Sequence, residues 1–305
     1  MAEYKLVTYQ SDAGPRAGVV VGDLVFDAAA MTGRSSDARV SEILADWAAA
    51  SALLSEASAK PAVEGWPLAR TKLRAPVLWP PTIYCAGANY SDHSAEMAKR
   101  HNRPPEPDPR ALGLTSWHFI KASRSIADPE ATIAISDRSK MMDWEAELAV
   151  VIGRSAKDIA PEKALDHVAG YTIANDLSAR DLSRRPHVND TSPFKADWVA
   201  HKSFDGSCPL GPWIVPTADI PDPQSLAIKL WVNDVLKQDS NTRLMIFSIA
   251  EQIAHLSRRI TLHPGDLILT GTPAGVGAAR GEFLKAGDVA KISIEKIGTL
   301  VSRFT

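Results

Sequence analysis

The chain has few of the sequence features of secreted proteins, of proteins with a structural metal site or of membrane proteins. Only two cysteines, Cys85 and Cys208, occur in 305 residues. They lie far apart and form neither a Cys-x-x-Cys pair nor a Cys/His ligand spacing, which argues against structural zinc. No apolar run approaches the length of a membrane span, and the residues after Met1 lack the charged-then-apolar layout of a signal peptide. We therefore expect a cytoplasmic protein without a membrane partner.

An excess of one charge is also missing. The 34 lysines and arginines nearly balance the 36 aspartates and glutamates, so no strong basic field attracts nucleic acid. With 45% hydrophobic and 23% charged residues, the composition is that of a globular protein. A small metabolite, neutral or anionic, is the expected partner.

A nucleotide-binding loop is the third absence. The glycine cluster from Thr270 to Gly277 is interrupted by Pro273, and no helix of adequate length is predicted after it. It matches neither the dinucleotide fingerprint nor the phosphate loop. Its glycines instead predict tight turns where the backbone approaches a ligand closely, with Thr272 offering a hydroxyl.

The apolar patterns predict more strands than helices. Apolar spacing predicts a strand hairpin around Gly22, one helix over 40–54 and another over 243–259. Strands and helices do not alternate as a parallel βαβ fold requires. We expect an α+β, β-rich fold.

The proline-rich stretch 73–81 predicts a domain boundary, because consecutive prolines break regular structure. It separates a small N-terminal α+β domain, 1–75, from a larger domain, 76–305, which carries the candidate catalytic residues described below. Two polar, proline-containing segments, 101–109 and 184–193, are predicted to be irregular loops. Each is either a surface excursion or a loop that covers a site.

Acidic residues alternate along the start of a predicted strand. Asp143, Glu145 and Glu147 would share one strand face, which suits either an edge open to water or a bound cation. Asp176, at the end of a strand over 170–176, would complete a carboxylate set for Mg²⁺. It suits a helix N-cap equally well.

Three further residues are candidates for proton transfer and charge stabilisation. His93 and Glu96 are three apart on a predicted helix and would share a face, as an ordinary exposed pair or as a general-base dyad. Lys202 either solvates the surface or offers a cation to an oxyanion.

Taken together, segments in five places resemble the fumarylacetoacetate hydrolase superfamily. They occur in the family's order and are 87–96, 143–148, 170–181, 202–209 and 261–277. The resemblance implies a mixed β-sandwich or roll, usually a homodimer, with residues 1 to about 75 as an N-terminal appendage.

The resemblance also assigns residues to roles. It implies Glu145, Glu147 and Asp176 as ligands of Mg²⁺ or Mn²⁺, and His93 with Glu96 as the pair that activates water. It implies Lys202 as the lysine near the metal that steadies an oxyanion. Substrate contacts would come from the polar residues Arg180, Gln238 and Thr272, with Asn241 and Thr242 at the border of the site. Leu244 stands where the family often has an acid, so the finer contacts differ.

The implied activity is hydrolysis of a carbon–carbon bond in a 2-oxo or β-diketo acid, acylpyruvate- or fumarylpyruvate-like, in catabolism. The cation would bind the carboxylate and carbonyl oxygens of such a substrate. An oxaloacetate-type decarboxylase or a 2-hydroxy-dienoate isomerase would use the same site. A metabolite-binding relative without catalysis is a further alternative.

Overall fold

The structure is a computed structural model that describes residues 4–305. Residues 1–3, at the start of the predicted N-terminal domain, lie outside the described part. Within it, three β-sheets dominate and the helices are short, which confirms the α+β, β-rich prediction. No helix of residues 4–305 combines the length and apolarity needed to cross a membrane.

The largest sheet contains 12 strands. Ten of them follow one path, in the spatial order Trp66–Pro67, Leu24–Asp27, Gly14–Val21, Lys5–Ser11, Cys208–Pro216, Val168–Asn175, Ala146–Ile152, Leu267–Leu269, Ile83–Ala86 and His118–Lys121. Two short strands lie off this path: Leu73–Arg74 pairs with Lys5–Ser11, and Ile126–Ala127 pairs with Cys208–Pro216.

A second sheet covers one face of the first. Its five strands are, in spatial order, Val235–Asn241, Ala227–Val232, Val289–Ile294, Gly298–Phe304 and Thr132–Ile133. Leu148, Val150 and Ile152 of the large sheet share a buried cluster with Ile228 and Ile292 of this sheet. Alternation along the strand sends Ala149 and Val151 into a separate cluster on the other face, as the period of two predicts. A two-stranded pair, Met142–Asp143 with Ser178–Ala179, completes the sheets.

The N-terminal strands continue the large sheet. Leu6 pairs with Ile214, so the predicted appendage is hydrogen-bonded to the rest of the chain. Its helices cover the second face of the sheet, where Leu44 and Leu54 are buried with Val151. The division at residue 75 stays a prediction.

The helices surround these sheets. The α-helices of the described residues are Ala28–Thr32, Val40–Ala45, Trp47–Ala59, Ser91–Arg100, Pro161–Ala164, Trp198–Lys202, Ile249–Arg259 and Gly277–Arg280. Short 3-10 turns occur at Ser35–Ala38, Leu68–Arg70, Pro109–Leu112, Ser123–Ser125, Leu165–His167, Arg180–Leu182, Thr217–Asp219 and Thr242–Leu244.

The helix predicted over 40–54 is broken. It forms two helices that meet at Asp46, whose backbone leaves helical geometry with φ −121° and ψ 40°. The Asp46 carboxylate accepts a 2.6 Å hydrogen bond from Arg34. Apolar spacing continues across this residue and so gives no sign of the break.

The helix predicted over 243–259 is also shorter than expected, because it begins at Ile249. Ser248 caps its first turn with a side chain that accepts from the amide of Glu251, and the Glu251 carboxylate accepts from the amide of Ser248. This reciprocal pair stabilises the helix start at that position.

Asn89 holds the residues before that helix out of helical geometry. Its side chain accepts a 2.8 Å hydrogen bond from the amide of Phe247 and donates to the Phe247 and Thr270 carbonyls, at 3.0 and 2.8 Å. Asn89 is 2% exposed. One buried amide therefore joins three distant segments beside the candidate site.

Candidate active site

Two paired strands bring the acidic residues together. Glu147 lies on Ala146–Ile152, and Glu145 directly precedes that strand. Asp176 directly follows Val168–Asn175. Ala146 pairs with Asn175, so the start of one strand lies beside the end of the other. The three carboxylates meet at this edge of the large sheet.

Their spacing suits a single cation. One oxygen from each of Glu145, Glu147 and Asp176 lies within 4.8 Å of the others. The residues are 6%, 1% and 1% exposed, so this is not a strand edge open to water. Magnesium and manganese prefer carboxylate oxygens, and the set leaves room for substrate oxygens. The donors therefore fit the predicted Mg²⁺ or Mn²⁺.

Two buried lysines contact the same carboxylates. Lys202 Nζ lies 2.8 Å from Glu145 Oε2 and 2.6 Å from Asp176 Oδ2. Lys121 Nζ lies 2.7 Å from Asp176 Oδ1 and also donates to the Leu177 carbonyl at 3.3 Å. Asp176 is thus paired with two ammonium groups, so the helix N-cap alternative does not describe it.

Arg180 links Glu145 to Asp143. Its Nε lies 2.8 Å from Asp143 Oδ2, and its Nη2 donates to Glu145 Oε1. Asp143 also accepts from the amides of Gly277 and Ala278, at 2.6 and 3.0 Å. Asp143 therefore supports the arginine and the glycine-rich segment and is not a member of the carboxylate triad.

The neighbours of Glu145 and Glu147 give these two acids opposite pKa shifts. Burial alone would raise the pKa of Glu145, but the positive charges of Lys202 and Arg180 hold it below its ordinary value. Burial, followed by the negative charges of Asp176 and Glu145, raises the pKa of Glu147 well above its ordinary value. The Glu147 carboxylate accepts a 2.7 Å hydrogen bond from the Gly271 amide. A divalent cation would remove the remaining repulsion.

The His93–Glu96 pair lies on the helix Ser91–Arg100. Nδ1 of His93 and Oε2 of Glu96 are 3.8 Å apart, wider than a hydrogen bond. The Gly275 amide donates to Glu96 at 2.8 Å and fixes that carboxylate. His93 is close enough to Glu145 to help lower the pKa of that acid. The pair therefore lies within electrostatic range of Glu145, and its role as a general-base dyad stays a prediction.

Gln238 and Thr272 are hydrogen-bonded to each other next to the strand of Glu147. Gln238 is fully buried, and its Nε2 donates to Thr272 Oγ1 at 2.9 Å and to the Pro273 carbonyl at 2.8 Å. Its Oε1 accepts from the Ala146 amide at 3.0 Å. Gln238 thus joins the glycine-rich segment to the strand of Glu147. Contact of either residue with substrate stays a prediction.

Asn241 and Thr242 make local hydrogen bonds. The Asn241 side chain accepts from the Arg243 amide at 3.0 Å, and Thr242 is buried with its hydroxyl donating to the Pro223 carbonyl at 2.9 Å. These bonds shape the end of the strand Val235–Asn241.

The loop that follows the dyad helix borders a separate cavity of about 520 Å³. Ser91 and Ala95 line it, whereas His93 lies on the opposite side of the helix at 100° per residue. Arg110 of the loop forms a 2.9 Å ion pair with Glu251. The loop is therefore anchored to the helix Ile249–Arg259.

Lys121 was missed by the sequence interpretation. A signal was present, because Lys121 ends an apolar strand and shares a strand face with Phe119. A lysine in a buried strand requires an acidic partner. The identity of that partner, Asp176, depends on a pairing across 55 residues.

Sequence comparison identifies the family. Residues 82–305 match the family Fumarylacetoacetate (FAA) hydrolase C-terminal. The chain is 43% identical over 230 residues to oxaloacetate tautomerase fahd2 of Xenopus laevis, and the match covers 75% of this chain and 66% of that protein. It is 40% identical over 239 residues to the human oxaloacetate tautomerase FAHD2B, with 78% and 70% covered. Both relatives are named as mitochondrial.

Solved structures share the whole architecture. The fumarylacetoacetate hydrolase of Exiguobacterium antarcticum superposes with a TM-score of 0.78 at 33% identity, covering 99% of each chain. A maleylpyruvate hydrolase from Sphingobium sp. SYK-6, in complex with manganese(II) and pyruvate, has a TM-score of 0.74 at 29% identity, covering 99% of this chain and 98% of that one. The protein is an enzyme of the fumarylacetoacetate hydrolase superfamily.

Proposed function

We propose that the chain is a divalent-metal-dependent hydrolase that cleaves a carbon–carbon bond in an acylpyruvate-like 2-oxo acid. The observation that carries this proposal is the convergence of three buried carboxylates with Lys202 and the His93–Glu96 dyad. The three carboxylates and Lys202 suit a cation with a bound 2-oxo acid. The dyad supplies a base for water.

Glu145, Glu147 and Asp176 would hold Mg²⁺ or Mn²⁺. When bound, the cation would polarise the 2-oxo carbonyl and neutralise charge that develops on its oxygen. The complex of a related hydrolase with manganese(II) and pyruvate supports this choice of metal and ligand.

The chain's own residues would carry the proton and charge steps. His93 accepts a proton from water as the water oxygen bonds to the distal carbonyl carbon, and the nearby Glu96 carboxylate, held by the Gly275 amide, stabilises the imidazolium that forms. The bond between that carbon and the pyruvate part then breaks, and its electron pair passes to the pyruvate part as an enolate. Lys202 donates a hydrogen bond to the enolate oxygen, and His93 returns the proton to the enolate carbon. Arg180 offers its guanidinium to a substrate carboxylate.

The test is a turnover assay on acylpyruvates with product analysis. We expect pyruvate and a second carboxylic acid to form with added Mg²⁺, and the rate to disappear in EDTA. Equal turnover in chelator would contradict the proposal. Release of CO₂ without a second organic acid would indicate a decarboxylase instead.

A second candidate is tautomerisation of oxaloacetate, which the names of two relatives favour. The same His93 would move a proton between carbon and enol oxygen, with no water added. We expect the two reactions to separate by NMR. This candidate would be favoured if the parent accelerated keto–enol exchange and His93→Ala did not. The parent should then cleave no acylpyruvate. A solved structure described as a probable 2-hydroxyhepta-2,4-diene-1,7-dioate isomerase shows why diene substrates belong in the same screen.

Metal binding is expected to release a proton. Burial and the charges of Asp176 and Glu145 raise the pKa of Glu147 well above its ordinary value, so the folded metal-free protein binds this proton more tightly than the unfolded chain does. The cation requires the carboxylate form, so metal affinity should rise with pH until the pH passes the folded-state pKa. Calorimetric titration with Mn²⁺ in two buffers of different ionisation enthalpy measures this proton. Identical binding enthalpies in the two buffers would show that Mn²⁺ binding releases no proton.

The homodimer and the cytoplasmic location implied above stay proposals for this chain. Light scattering on the purified full chain measures the first, and fractionation of the source cells measures the second.

A further inference from the structure

We propose that three aromatic side chains beside the acidic triad bind the distal part of the substrate and select a flat, apolar tail. This aromatic cluster consists of Trp117, Phe119 and Trp198. The inference rests on the proposed function, because the tail belongs to a 2-oxo acid held at the triad.

The three rings contact one another. Ring centroids are 5.8 Å apart for Trp117 and Phe119, 5.6 Å for Trp117 and Trp198, and 5.0 Å for Phe119 and Trp198. Trp117 is 52% exposed and Trp198 43% exposed. The cluster therefore offers aromatic surface to a ligand, and stacking on such surface favours a planar partner.

Two elements connect the cluster to the acidic triad, and each carries one ring and one lysine. Phe119 and Lys121 lie two apart on the strand His118–Lys121, so their side chains share a face. Trp198 and Lys202 lie four apart on one helix, so they also share a face. Lys202 Nζ is 5.2 Å from the centroid of the Phe119 ring. The Phe119 ring therefore lies next to a lysine that contacts two of the three carboxylates, Glu145 and Asp176.

The rings lie within a substrate's length of the triad. Lys202 Nζ is 2.6 Å from Asp176 Oδ2 and 5.2 Å from the centre of the Phe119 ring. A substrate whose 2-oxo acid end is held at the cation site would therefore place its tail toward the rings. An aryl or conjugated tail fits this position.

The surroundings of the cluster favour an apolar tail over a second carboxylate. The His201 ring lies 5.6 Å from the Trp198 ring. Burial, with the nearby charge of Lys202, lowers the pKa of His201 to about 3, so His201 is neutral. The ammonium of Lys202 is already paired with Glu145 and Asp176.

The position of Trp117 is set by the backbone. A Cβ on Gly87 would lie 1.8 Å from the Trp117 ring, so glycine is required for the indole to lie against that strand end. The Gly87 amide also donates to the Trp117 carbonyl at 3.0 Å. The ring is therefore in place before substrate arrives, which reduces the ordering cost of binding.

The experiment compares Trp198→Ala with the parent, and uses Trp79→Ala as a matched control. Trp79 is 67% exposed, and its ring contacts the guanidinium of Arg124. Calorimetry on the Mg²⁺-loaded full chain measures binding of phenylpyruvate and pyruvate, and turnover is measured for acylpyruvates with a phenyl or a methyl tail. Light scattering follows the oligomeric state of every variant.

We expect the parent and Trp79→Ala to bind phenylpyruvate about tenfold more tightly than pyruvate, and Trp198→Ala to lose that difference. In Trp198→Ala, the kcat/KM for the phenyl-tailed substrate should fall about tenfold more than the kcat/KM for the methyl-tailed one.

Other outcomes overturn the inference in distinguishable ways. Equal affinity for the two acids in the parent, with binding intact, would leave the proposed function standing and reject the aromatic subsite. Failure of both acids to bind would reject the 2-oxo acid site itself. Trp198→Ala could instead convert a dimeric parent to monomers and leave the ratio of phenylpyruvate to pyruvate affinity unchanged. That result would show that the rings contact a second copy of the chain.

Discussion

Replacement of Glu147 by glutamine is expected to remove divalent-metal binding and to lower kcat/KM by about 10³-fold, since metal polarisation contributes several kcal/mol. The metal-free variant should be at least as stable as the parent. Its amide still accepts the hydrogen bond from Gly271 and is neutral, so it avoids the charge that burial, Asp176 and Glu145 disfavour at this position. A ligand residue that is dispensable for folding without metal is the expected signature of a cation site.

Thermal unfolding and Mn²⁺ titration test this expectation. The parent should gain Tm on addition of Mg²⁺, and Glu147→Gln should not. Glu162→Gln, at an exposed position in the short helix Pro161–Ala164, serves as the control and should behave as the parent. A Glu147→Gln protein that keeps its metal-induced gain in Tm would show that the cation binds elsewhere.

The second large effect is expected for Lys202→Met. Glu145 and Asp176 would lose a buried partner held at 2.8 and 2.6 Å, so the metal-free protein should lose about 3–5 kcal/mol of stability. Added Mg²⁺ should restore much of this loss, because the cation supplies the missing positive charge. The kcat/KM of the loaded enzyme should still fall about 10²–10³-fold, since Lys202 also stabilises the enolate oxygen.

Denaturant unfolding with and without Mg²⁺ separates these two roles. Lys229→Met is a suitable control, because Lys229 forms an exposed 3.3 Å pair with Asp239 and its loss should cost less than about 1 kcal/mol. Without metal, Lys202→Met should be less stable than Lys229→Met. Equal stability of the two variants would show that the contacts of Lys202 with Glu145 and Asp176 do not stabilise the fold. If activity were unchanged with metal, Lys202 would have no part in the reaction.

Much of the site was predictable because its residues stand in short, characteristic segments. Glu145 and Glu147 alternate along one strand, and Asp176 ends the neighbouring strand of the hairpin-like pair. The family resemblance then favoured a cation site over a strand edge that is exposed to water. The β-rich fold followed from apolar alternation, which the two faces of Ala146–Ile152 display directly.

The parts that were missed depend on contacts between distant residues. The start of the helix at Ile249 is set by Ser248 and by Asn89, whose side chain bonds Phe247 across 158 residues. The partner of Lys121 lies 55 residues away. Local propensity carries no information on such pairings, so neither could be read from periodicity.

The role of Asp143 was open for the same reason. It stands in the acidic alternation, but the strand is interrupted before Ala146, and Asp143 bonds Arg180 and the amides of Gly277 and Ala278. Only the folded arrangement separates an acid that supports the site from the acids that could hold a cation.

Glu145, Glu147 and Asp176 are together expected to bind one divalent cation. Anomalous diffraction at the manganese edge, on crystals of the full chain soaked in Mn²⁺, tests it most directly. We expect a single strong peak among these three carboxylates, with the Lys202 ammonium moved away from at least one of them. A peak at another place, or none at a Mn²⁺ concentration that supports full activity, would contradict it.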